Sequence, residues 1–275
     1  MLFAPGFEQP TAQVATTITG QRVDIDLYGN IYILNPDRST LKLYTKDRIL
    51  LREIGGSGWE NDQFDRPAGM WARNGIDVFV ADYGNHRIQR FDRKLNYVST
   101  LYTRESQRPE ERFGYPGDVA VSRLGDPFVC DTENSRIVKV NRFTQVERTF
   151  GGFGAGEGRL SSPTQVEAGP KDHIYVVDGV RVLVFDNFGN YLRDLPGEFR
   201  QPLSLYANDE SVLVADSTTF YWFDGEERPV NFLPMNTIAG MNDVRSVAFT
   251  PDSMFVLSGT GLFAWPNPNN MMQMK

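Results

Sequence analysis

The chain has one cysteine and two histidines in 275 residues. A single thiol, Cys130, excludes an intramolecular disulfide and leaves the redox compartment open. It sits between Val129 and Asp131 in an apolar strand, where a buried, inert thiol is expected. Zinc and iron sites usually take three or four nitrogen or sulfur ligands, so the scattered His86, His173 and Cys130 are expected to hold no metal. No stretch approaches the roughly 20 apolar residues of a membrane span. The opening MLFAPGFEQPT is too short and too polar for a signal peptide, so location stays unassigned; export or a cell-envelope site would need a leader already removed. Basic residues are outnumbered 28 to 35, and a net charge of −7 disfavours a broad nucleic-acid surface. No G-x-S-x-G elbow occurs. The glycine-rich GGFGAGEG (151–158) has no Lys-Ser/Thr after it and reads as a flexible connection rather than a phosphate loop.

What the chain does have is repetition. Six times a short apolar strand reaches a turn and a second strand follows, most clearly in IDVFVADYGNHRIQRFD (76–92), GDPFVCDTENSRIVKVN (125–141) and DHIYVVDGVRVLVFD (172–186). The residues closing the first strand of each pair are Asn35, Asp82, Asp131, Asp178, Asp216 and Ser258, separated by 47, 49, 47, 38 and 42 residues. A period of roughly 40–50 residues with several strands per repeat predicts an all-β propeller of six four-stranded antiparallel blades. We assign residues 1–21 to a closing segment, 22–265 to the blades and 266–275 to a tail, with 1–275 as one domain.

The third repeat shows how one blade is written. DVAV (118–121) reads as the innermost strand, followed by PFVCD (127–131), RIVKV (136–140) and the outer QVERTFGG (145–152). Its D-x-x-N-x-R turn, shared with the second repeat, has a structural rationale. Asp82 or Asp131 is expected to accept N–H groups two and three residues on. Asn85 or Asn134 should supply a left-handed residue, and Arg87 or Arg136 should donate to an acid or to carbonyls. His86 in this turn is read as structural. Repeats 2 to 4 resemble NHL repeats, through Asn85-His86-Arg87-Ile88 and the linkers GGSGWENDQFDRP (55–67) and GGFGAGEGRLSSP (151–163). FGYP (113–116) and FRQP (199–202) retain the end of that linker. The resemblance covers roughly residues 22–230. It implies an interaction module; lyases and amidating enzymes similar to NHL proteins rely on clustered histidines, which this chain lacks.

Repeat 6 supplies three strands and no fourth, so AQVATTIT (12–19) is expected to complete it and remove an exposed edge. Aligning the inner strands puts Arg22, Gly69, Asp118, Gln165, Ser204 and Ser246 at one channel level, with Asp24 and Glu167 two residues further on. These could form a calcium or polar site of a lactonase- or lyase-like enzyme or sugar binder. Arg22 among the acids opposes a divalent ion, however, so no cofactor and an ion-paired channel are expected. The favoured reading is a non-catalytic scaffold for a protein partner, with glycan as a further possibility, recognised by Trp59, Tyr115 and Phe153 in the inter-blade loops. Phe64 and Phe113 are expected beneath those loops.

Overall fold

The computed structural model describes residues 13–15, 18–202, 204–235 and 243–266, the side chains of 13–15 and 231–233 excepted. A strand β1 (Gln13–Ala15) precedes the first blade. Blade 1 is β2 (Arg22–Ile25), β3 (Ile31–Asn35), β4 (Thr40–Tyr44) and β5 (Leu50–Gly55), and blade 2 is β6 (Gly69–Trp71), β7 (Asp77–Asp82), β8 (Arg87–Asp92) and β9 (Tyr97–Tyr102). Blade 3 follows as β10 (Pro116–Val121), β11 (Pro127–Asp131), β12 (Arg136–Asn141) and β13 (Gln145–Phe150). Blade 4 is β14 (Pro163–Ala168), β15 (Ile174–Asp178), β16 (Arg181–Phe185) and β17 (Tyr191–Asp194). Blade 5 is β18 (Ser204–Ala207), β19 (Ser211–Ala215), β20 (Thr219–Asp224) and β21 (Pro229–Pro234). Blade 6 is β22 (Val244–Phe249), β23 (Ser253–Ser258) and β24 (Gly261–Pro266), completed by β1.

The closing strand runs antiparallel to β24, with Val14 opposite Phe263. β1 and the last repeat therefore share one sheet, and the outer edge of β24 is paired where the ring closes. Burial follows strand position. The inner β10 and β11 are buried at every residue, as strands covered on both faces must be, whereas the outer β13 is almost wholly solvated.

Four apolar clusters join the blades to one another. One joins blades 1 and 2, one blades 2 to 4, one blades 4 and 5, and one blades 5, 6 and 1. Every seam between neighbours is thus a hydrophobic core, which is why single blades cannot stand alone. Cys130 lies within the second cluster, fully buried, and burial pushes its thiol pKa up. The linkers are pinned under the same seams by Phe64, Phe113, Leu160 and Phe199, all buried.

Because strands alternate in direction, each blade sends two kinds of connection to opposite faces of the disc. The inter-blade linkers and the turns between second and third strands lie on one side, here the linker face. Turns between first and second and between third and fourth strands lie on the other, the hairpin face.

Candidate functional site

The channel residues are stitches between blades. Asp118 Oδ2 accepts the Val166 N–H (3.2 Å), Gln165 Oε1 that of Leu205 (2.8 Å), Ser204 Oγ that of Val247 (3.0 Å), and Ser246 Oγ that of Val23 (3.1 Å). Arg22 Nε donates to the Ala68 carbonyl (3.3 Å). Each side chain reaches the inner strand of the next blade, always in the same rotational sense. Gly69 breaks the series because a Cβ there would stand 2.0 Å from Asp118 Oδ1. These groups satisfy inner-strand N–H and C=O groups that a channel wall would otherwise leave unpaired.

The next level holds charge. Asp24 accepts the Ala72 N–H through Oδ2 (2.9 Å) and Arg73 Nε through Oδ1 (3.0 Å). The Arg73 guanidinium then spans the channel to blade 4, gripping both Glu167 oxygens (2.7 Å to Oε2), and donates to the Ala207 carbonyl of blade 5 (2.6 Å). Its Cζ lies 3.8 Å from the Tyr206 ring centroid. Burial alone would lower the Arg73 pKa, but Asp24 and Glu167 hold it well above the ordinary value. Burial raises Glu167 to about 8, against the pull of Arg73, and raises Asp118 to about 6, against Arg22. Arg22, Asp24, Asp118, Gln165 and Glu167 are thus brought together, as their strand positions require, and Arg73 is the member that strand alignment misses. It stands in the turn after β6, beyond the inner-strand register. The space left among these residues is about 20 Å³, enough for about one water molecule.

The repeated turn acts on the linkers. Asp82 Oδ1 accepts the Asp65 N–H (2.7 Å), while its Oδ2 takes Asn85 Nδ2 (2.9 Å) and Arg87 Nε (2.7 Å). Arg87 passes on to the carbonyls of Trp59, Glu60 and Gln63. Asp131 repeats this with the Gly114 N–H (3.1 Å), Asn134 (2.8 Å) and Arg136 (2.8 Å). The carboxylates of Asp82 and Asp131 therefore clamp the linker entering their blade, instead of capping their own turn as expected. The left-handed residue is also one position later than expected, at His86 (φ 52°) and Ser135 (φ 48°). In blade 5, where the motif is lost, Asp216 does both jobs. It takes the Arg200 N–H of the linker (2.8 Å) and the Thr218 and Thr219 N–H groups of its own turn (2.7 and 2.8 Å).

His86 Nδ1 accepts the Tyr115 N–H (3.1 Å), and burial lowers its pKa. His173 lies apart, on the hairpin face, with Nδ1 2.6 Å from Glu227. Glu227 also accepts from Tyr175 Oη (2.7 Å) and pairs with Arg193, joining blades 4 and 5. Among the described residues no group of three or more His, Cys, Asp or Glu side chains is arranged to hold a metal ion. No described helix is long and apolar enough to cross a membrane.

Trp59, Tyr115 and Phe153 all emerge on the linker face, but differently. Phe153 is 86 % exposed at the tip of its linker, beneath only the Arg159 guanidinium at 4.7 Å. Trp59 is half-exposed, edge-on to Tyr102 at 5.8 Å and under Arg87 at 4.8 Å. Tyr115 is held against His86 (4.2 Å) and Tyr83 (5.1 Å).

No family model matches the chain. Among curated proteins it is 32 % identical over 161 residues to Protein brain tumor of Drosophila melanogaster, covering 57 % of this chain and 15 % of that protein. It is 30 % identical over 182 residues to the B-box type zinc finger protein ncl-1 of Caenorhabditis elegans, covering 66 % and 20 %. A third relative, the probable peptidyl-alpha-hydroxyglycine alpha-amidating lyase pgal-1 of Caenorhabditis elegans, is 30 % identical over 107 residues, covering 38 % and 29 %. The match thus spans less than a third of each relative. Virginiamycin B lyase from Staphylococcus aureus superposes with a TM-score of 0.63 at 13 % identity, over 88 % of this chain and 78 % of that one. A Bacteroides caccae protein of unknown function gives 0.59 at 14 %, over 83 % and 85 %. At such identities the structural likeness is one of fold. With its six closed blades, its Asp-Asn-Arg clamps and these relatives, the chain is a six-bladed β-propeller of the NHL-repeat type.

Proposed function

We propose that the propeller is a non-catalytic platform for a protein partner, which it engages on the linker face. The observation that carries this reading is the filled axis. A propeller enzyme would be expected to hold its substrate at the channel, and here Arg73, Asp24 and Glu167 consume one another's charges around about 20 Å³ of space. The linker face supplies anchors instead. Trp59 and Tyr115 present rings held by neighbours that already fix their orientation, so docking a partner on them costs little side-chain entropy, and Phe153 adds an exposed ring beneath Arg159. A glycan stacked on the same rings would use the same chemistry.

The rival reading is an enzyme or sugar binder at the channel, centred on Asp118, Glu167 and Arg22, and the lyases among the similar proteins give it weight. Two measurements separate them. Tandem-affinity isolation of the intact protein should recover a stoichiometric protein that is lost on Trp59→Ala or Tyr115→Ala while the melting temperature holds. A calcium-dependent rise in melting temperature would instead favour the rival, because a ligand bound only to the folded state stabilises it.

A further inference from the structure

The hairpin face carries a second set of solvated apolar side chains, unrelated to the linker-face residues. Leu27 is 78 % exposed, Ile76 66 % and Leu124 65 %, and Tyr28 is exposed beside them. They occupy the turns between first and second strands of blades 1, 2 and 3. The first two turns touch: a Cβ on Gly75 would meet the Tyr28 ring at 2.7 Å. In blades 4 to 6 the equivalent turns carry Lys171 and Asp172, Asn208 to Glu210, and Pro251 with Asp252. Among the turns between first and second strands, exposed apolar residues are therefore confined to blades 1 to 3; the exposed Phe188 of blade 4 lies on the same face, against Lys139 and Arg148 of blade 3.

Positive charge follows the same blades. The turns between third and fourth strands of blades 1 to 3 bring Lys46, Arg93, Lys94 and Arg142 to the rim of this patch, all exposed. The Arg93 guanidinium lies 5.0 Å over the Tyr28 ring, so cation and apolar surface are continuous. Asp26 and Asp92 are occupied by the backbone N–H groups of their own hairpins, Asp126 of the Leu124 turn faces Lys139 at 3.5 Å, and Asp47, exposed beside Lys46, is outnumbered by the cations around it. The other half mixes signs: Glu226 pairs with Lys171, Arg228 with Asp224 and Asp209 with Arg123 of blade 3, while Glu210 and Asp252 add exposed carboxylates. A protein of net charge −7 thus concentrates a basic, apolar crescent on half of one face.

We propose that this crescent binds an acidic amphipathic segment of a partner protein, its apolar side chains on Leu27, Tyr28, Ile76 and Leu124 and its carboxylates on the basic rim. Charge complementarity selects the occupant. An anionic bilayer approaching the same flat face would also meet the exposed Glu210 and Asp252 and find no apolar turn in blades 5 and 6 to insert. A single-stranded nucleic acid needs ring platforms, and three of the four central residues are aliphatic. A narrow peptide can follow the crescent without touching Glu210 or Asp252. The proposal is independent of the linker-face reading, since the two sets of residues lie on opposite sides of the disc.

The test is selection of a displayed library of random 16-residue peptides against the full chain. The selected peptides are then measured by fluorescence anisotropy against wild type, Ile76→Asp, Arg93→Glu and Trp59→Ala. The expected result is enrichment of sequences combining Asp or Glu with Leu, Ile or Phe, binding at least tenfold more weakly to Ile76→Asp and Arg93→Glu and unchanged on Trp59→Ala. Both crescent variants change exposed side chains and should keep the wild-type melting temperature. Four outcomes overturn the proposal: no peptide is lost on the crescent variants; the enriched sequences are basic; phosphatidylserine-containing vesicles bind in a crescent-dependent way; or a single-stranded oligouridine does so. Loss on Trp59→Ala alone would leave the linker-face reading standing and remove this one.

Discussion

Arg73 shows how much one side chain can connect. It leaves a turn of blade 2 and makes hydrogen bonds to blades 1, 4 and 5. Replacing it by Met would leave Glu167 without its guanidinium partner and Asp24 with only the Ala72 and Ile25 N–H groups, a loss of about 3 kcal/mol of stability. The same change in a Glu167→Gln background should cost less, because part of the stranded charge is already gone. Urea unfolding of the two single variants and the double variant measures this coupling, and strict additivity would dissociate the pair. The residues at Arg22, Gly69, Asp118, Gln165, Ser204 and Ser246 could be read from the sequence because a strand position recurs in every repeat. Arg73 could not, because its partner Glu167 is 94 positions away and nothing local announces the reach. The repeated Asp was visible for a related reason, yet its true target was not. A sequence shows that Asp82 recurs but not that its carboxylate faces a linker 17 residues upstream.

At the scale of strands and linkers, the period of the apolar runs was enough to place every blade, including the degenerate fifth. There Asp216 survives where the rest of the turn has changed, and it still holds the linker through the Arg200 N–H. The missing fourth strand of the last repeat was also legible, because an edge left unpaired has to be covered. The register of β1 on β24, Gln13 opposite Ala264, came only from the structure. Deleting residues 1–19 should lower the thermal midpoint, since it removes that strand and re-exposes the β24 edge. An unchanged midpoint by circular dichroism would mean that the strand contributes nothing to closure.

For the whole molecule, the axis sets a dependence on pH. Three carboxyl groups, Asp24, Asp118 and Glu167, face two guanidinium groups, Arg22 and Arg73, so full ionisation leaves one negative charge uncompensated. Glu167 is raised to about 8 and Asp118 to about 6, whereas their unfolded values lie near 4. Between roughly pH 4 and 8 the folded protein therefore holds protons that the unfolded chain releases, and stability falls as pH rises through that window. The melting temperature should decline from pH 5 to 8.5, and Glu167→Gln should flatten much of that decline. Identical slopes in wild type and variant would exclude the axis as the source. Function was less legible than fold at this scale. The apolar and basic crescent is assembled from hairpin tips about 50 residues apart, each unremarkable alone, and becomes one surface only when three blades stand side by side.

The pairing of β1 with β24 also fixes an order of events during synthesis. The strand β1 must wait, unpaired, while nearly 250 further residues are translated before its mate exists. Until then the growing polypeptide can only be an open arc with two raw ends, and the final turn of the ring is a single long-range meeting rather than one more local addition.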